Sequence, residues 1–158
     1  MHIDQYAYFA LFSRSTSAAE MTAILGIEPD ETTVRGSRRT EPSAVPVRHG
    51  WKIVCREPGL CVDEQVARIL DRLRPHTTAI GALANRLAAA DQESGAVLEI
   101  VRCFRGEDAE RHEHREDAPN LFGWHLDRAV LDFLRATGAV LDVDEYDMTP
   151  DRAEDAGV

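Results

Sequence analysis

The segment Tyr6-Ala7-Tyr8-Phe9-Ala10-Leu11-Phe12 carries no charge and puts apolar or aromatic side chains at both odd and even positions. In an extended chain successive side chains point to opposite faces, so such a run describes a strand with both faces covered. It predicts a central strand, with a neighbour on each side. It is also far short of the roughly 20 apolar residues needed to span a bilayer, and the chain has no longer apolar stretch.

Further elements follow from pattern. Ser17-Ala18-Ala19-Glu20 has the spacing of a capping box, and the helix it opens would bury Met21, Ile24 and Leu25 and stop at Gly26. Residues 28–50, with Pro29, Gly36, Pro42 and Pro46, read as a loop with one short strand near Thr33 to Arg35. Trp51 to Cys55 alternates as a strand with Trp51, Ile53 and Cys55 on one face. Val62, Val66, Ile69, Leu70 and Leu73 form a helical stripe that Pro75 ends, and Ile80, Leu83, Ala84, Leu87 and Ala88 form a second. Ala96 to Phe104 is a strand, residues 105–123 a polar loop, Leu126 to Leu134 a helix ending at Gly138, and Val140 to Tyr146 a strand with Leu141 and Val143 inward.

The predicted order is β-α-(β)-β-α-α-β-α-β. The fold class is α+β: a mixed or mainly antiparallel sheet with helices on one side. Two strand–helix–glycine units suggest a ferredoxin-like, pseudo-duplicated arrangement. At 158 residues the chain suits one domain, expected over residues 1–147, with residues 148–158 an acidic, disordered tail.

Charge narrows the partners. The net charge of −10 opposes a nucleic-acid backbone as the main ligand. The charge is also uneven: Thr32 to Arg56 holds six basic residues against Glu41, a balance of +5, and Ala139 to Val158 holds seven acids against Arg152, a balance of −6. This asymmetry can steer a partner or mediate self-association, or can reflect two solvated faces. The first residues lack the basic and small-residue features of a secretory signal, which with the absence of a membrane span points to the cytoplasm. Three cysteines, Cys55, Cys61 and Cys103, without a CxxC pair read as free thiols, and no cofactor motif is present.

The helix end Ile24-Leu25-Gly26-Ile27-Glu28-Pro29, the loop Gly36, the strand opening at Trp51, and the closing Gly138-Ala139-Val140-Leu141-Asp142-Val143-Asp144-Glu145-Tyr146 together resemble the bacterial domain of unknown function 4279 family, as does the aromatic first strand. The resemblance spans nearly the whole chain. It implies a compact bacterial α+β domain and no activity. Its closing motif carries Asp144 and Tyr146.

Several residue groups are candidates for function. Arg35-Gly36-Ser37-Arg38-Arg39 combines a flexible glycine with three guanidinium groups that can clamp a carboxylate or phosphate; with His49 and Trp51 it is the first candidate for contact with a protein partner or a small anionic ligand, against a solvated loop. Asp142, Asp144 and Asp147 can present carboxylates along one edge, and Asp144 with Tyr146 can form a structural hydrogen bond or join a binding surface. His112 and His114, amid acids, are weak metal candidates, because two histidines two apart share a face only in extended chain. Cys61, before a helix, is the candidate reactive thiol. No catalytic constellation is evident. The chain reads as a binding module, immunity-type or regulatory, able to form a homodimer; the alternative is a small enzyme with a site between the Arg35–Arg39 loop and the His112 loop.

Overall fold

A computed structural model describes residues 2–37, 45–106 and 122–149. Their order is β1 (His2–Ser13), α1 (Ala18–Leu25), β2 (Glu31–Thr33), β3 (His49–Cys55), α2 (Val62–Leu73), a 3-10 turn (Arg74–His76), α3 (Thr77–Ala90), β4 (Gly95–Arg105), α4 (Arg128–Thr137) and β5 (Val140–Asp147). The five strands form one sheet in the order β2-β3-β1-β4-β5. Among the described residues three pairings are antiparallel and one, β4 with β5, is parallel. The fold is α+β with a mixed sheet, as the alternating patterns predict.

The aromatic run is the middle strand. Phe9 lies opposite Ile53 of β3 and Leu98 of β4, and Ala7 to Leu11 are all buried. The main core lies between one sheet face (Ala7, Phe9, Leu11; Trp51, Ile53, Cys55; Ala96, Leu98, Ile100) and the four helices. Burying these side chains is the main stabilising term. Trp51 anchors that core: its ring is fully buried and its Nε1–H donates to Thr22 Oγ1 of α1 at 3.1 Å.

The helix signals act as read. Ser17 and Glu20 form the reciprocal capping box of α1, and Gly26 and Gly138 close α1 and α4 in the left-handed conformation, at φ 67° and 66°. Pro75 ends α2 without freeing the chain, because a 3-10 turn leads directly into α3. Ile24 is exposed rather than buried, leaving Ala18, Met21 and Leu25 as the inner face of α1.

Two expectations change. The ferredoxin-like duplication is not confirmed: β1 and β3 around the first unit run antiparallel, whereas β4 and β5 around α4 run parallel. Nor is β5 half-buried, since Leu141 is 39% and Val143 36% exposed. It is the edge strand, and the helices cover the middle of the sheet more fully than this margin.

Candidate functional site: the open face of the sheet

Alternation sends the even-numbered residues of β1 and β3 to the face opposite the helices. On β1 these are Tyr6, Tyr8, Ala10 and Phe12; opposite them stand Lys52 and Val54 of β3 and Val97, Glu99 and Val101 of β4. Tyr8, Ala10 and Val101 form a small second core there. Neighbouring long side chains supply the cover that an element would otherwise give.

Three cations from one flank lie over the three rings. Arg48 sits 4.2 Å from the centroid of Phe12, Lys52 4.1 Å from Tyr8, and Arg56 4.0 Å from Tyr6. Each contact combines attraction to the ring face with burial of the aliphatic stem. Arg56 also pairs with Glu31 Oε1 at 3.0 Å, and Arg48 Nη1 donates to the Glu93 carbonyl at 3.0 Å. Tyr6 and Tyr8 stack with centroids 6.3 Å apart.

The other flank is acidic. The Tyr8 hydroxyl donates to Glu99, and Glu99 lies opposite Asp142 of β5. Tyr146 donates to Asp144 Oδ2 at 3.1 Å on the same face. Burial, then the hydrogen bond to Glu99, holds the Tyr8 hydroxyl above its ordinary pKa. Burial pushes the Lys52 ammonium below its ordinary value, and the bond to Asp144 raises that of Tyr146. At one end of this face, Phe12, Arg48, Glu93, Val97, Glu99 and Asp142 are among the residues lining a shallow cleft of about 270 Å3, which has one arginine and three acidic residues in its walls.

The sequence candidates are distributed as follows. Arg35 follows β2 and is exposed; its Nη1 donates to the Arg14 carbonyl at 2.8 Å, and its backbone N–H donates to His49 Nδ1 at 3.1 Å. Trp51, expected beside it as a contact residue, points to the helix face and is fully buried, so no partner can touch it. Asp144 and Tyr146 are on the open face at the β5 edge, hydrogen-bonded to each other. Arg38, Arg39, His112 and His114 lie outside the described residues, so the cleft imagined between the two loops does as well. Cys61 caps α2, but its thiol pKa is raised, first by burial and then by Glu64 and Asp63, the reverse of the activation expected at a helix N-terminus. Among the described residues no three His, Cys, Asp or Glu side chains gather as a metal site, and no helix is long and apolar enough to cross a membrane.

The ring–cation ladder itself escapes a reading of the chain one segment at a time. Placing Trp51, Ile53 and Cys55 on one face implies Lys52 and Arg56 on the other. Nothing in the sequence says that β3 pairs with β1 in the register that sets them over Tyr8 and Tyr6.

A family model described as Domain of unknown function (DUF4279) matches residues 3–148. The chain belongs to that family. The match takes in every strand and helix of the sheet and both flanks of its open face, so the surface described above lies within the DUF4279 domain. No curated protein and no solved structure matches this DUF4279 chain.

Proposed function

We infer that this DUF4279 chain is a protein-binding module and that the open sheet face is its contact surface. The observation that carries the reading is the division of that face, with Arg48, Lys52 and Arg56 seated on the β1 rings along one flank and Glu99, Asp142 and Asp144 along the other. A surface of this kind offers both signs of charge across an apolar centre, the pattern that orients one protein on another. It suits a protein better than a small anion, because its cations are already engaged with rings, with Glu31 and with the Glu93 carbonyl. Regulatory and immunity-type proteins act in this way, by occupying a partner.

Photocrosslinking tests the reading. A benzophenone side chain at Val97, on the open face, should trap a partner in cells, whereas one at Ala67, on the outer side of α2, should not. The purified partner should bind Lys52→Glu at least about tenfold more weakly than the unaltered chain, as reversal of a charge within an interface predicts. Crosslinks from Ala67 alone, or unchanged binding of Lys52→Glu, would overturn it.

A further inference from the structure

We propose that β5 is a docking strand for an extended partner segment in which basic and apolar residues alternate. The proposal rests on the reading of the chain as a protein-binding module and adds the partner's chemistry and the place where it joins.

β5 closes the sheet order, so one side of its backbone has no strand beside it among the described residues. It is eight residues long and contains no glycine, proline or bulge to discourage pairing. Its side chains are sorted by face. Val140, Asp142, Asp144 and Tyr146 follow the open face, and Leu141, Val143 and Glu145 follow the helix face. The apolar members are exposed, Val140 by 65% and Tyr146 by 48%. β-Branched and aromatic side chains in this position are what a paired strand uses, and on a bare edge they favour association.

Charge selects the occupant. Glu145 is engaged by Arg102 of β4 at 2.8 Å, while Asp142, Asp144 and Asp147 have no basic neighbour on the strand, which contains no lysine or arginine. A second copy of β5 would bring these three aspartates of both chains onto adjacent strands, and like charges across a ladder destabilise it. A partner strand is favoured when it puts Lys or Arg opposite Asp142 and Asp144 and, on alternate positions, Val, Ile or Leu beside Leu141 and Val143. Main-chain hydrogen bonds then supply the attachment and the alternation supplies selectivity.

The probe is a fluorescein-labelled peptide, Lys-Val-Lys-Val-Lys-Val-Lys with blocked ends, titrated onto the full chain by anisotropy and followed by amide hydrogen exchange. Binding should slow exchange in 140–147. Asp142→Asn with Asp144→Asn should weaken it about threefold to tenfold. The same peptide N-methylated at alternate residues keeps its charge but cannot complete a ladder, and it should not bind. The proposal is overturned by absence of binding, by equal binding of the N-methylated peptide, by protection away from β5, or by a dimer that the peptide does not dissociate. Crosslinks from Val97 that persist when the peptide fails would remove the docking strand and leave the open-face reading standing. Peptide binding without such crosslinks would do the reverse.

Discussion

At Arg102 the chain buries a guanidinium on the helix face of β4, with 4% of the residue exposed. It donates to Glu145 Oε1 at 2.8 Å, to Gln5 Oε1 at 3.3 Å and to the Phe122 carbonyl at 3.4 Å, tying β5, β1 and the approach to α4 to one group. Arg102→Ala should therefore destabilise the fold by about 2–3 kcal/mol in urea denaturation, below the range for a fully buried pair because Glu145 is half exposed. Arg102→Met, which refills the volume, should cost less. Tyr8 makes a different demand. Its folded pKa lies above the ordinary value of 10.0, so its contribution is complete below pH 10 and is lost as pH rises toward the higher folded value. Lys52 has the opposite sign: its folded value lies below 10.5, so the unfolded chain holds more protons in that window and stability gains as pH rises through it. Up to the pH at which the chain unfolds, Tyr8→Phe should show the same gain in phenolate absorbance as the unaltered chain. A smaller gain in the variant would mean that Tyr8 ionises in the folded protein.

Helix ends are legible in this chain because their chemistry is local: Ser17, Glu20, Gly26 and Gly138 each act on backbone groups within a few residues. Ser17→Ala should cost about 1 kcal/mol. The hydrogen bond from Ser17 holds the Glu20 carboxyl below its usual 4.5, so the contribution is present above that pH and lost as pH falls through the lower folded value. Acid denaturation of Ser17→Ala should accordingly be flatter near pH 4. Helix crossings are less readable. Gly81, inside an ordinary helical stripe, is where α3 meets α4 so closely that an added Cβ would lie 2.5 Å from the Ala136 carbonyl oxygen. Only the assembled pair shows why it is glycine. Gly81→Ala should push the helices apart and destabilise by about 1–3 kcal/mol, despite alanine's better helix propensity, with a lowered Tm as the measurement.

Over the whole molecule, strand alternation is enough to place the middle strand and to divide core from open face, since each depends on one segment. Strand order, register and the single parallel pairing depend on segments far apart in sequence, and no local pattern encodes them. The exposure of β5 has this origin: Leu141 and Val143 alternate as core residues do, but their depth is set by a position at the margin of the sheet. Among the described residues, Arg48, Lys52 and Arg56 of the basic tract lie on the β3 side, and Asp142 and Asp144 of the acidic tract on the β5 side. If carboxylates keep β5 edges apart, the chain should be monomeric at 0.05 M salt and begin to self-associate near 1 M, where the screening length falls to about 3 Å. Sedimentation equilibrium would show this, and Val143→Lys should abolish it. The central place of β1 bears finally on biosynthesis. Its apolar run is made before both of its neighbours, β3 and β4, the second of which ends only at Arg105. Until that point has left the ribosome, the most apolar strand of the chain lacks a partner on one side. Nascent chains halted before β4 should therefore be the aggregation-prone species, the ones on which chaperones act.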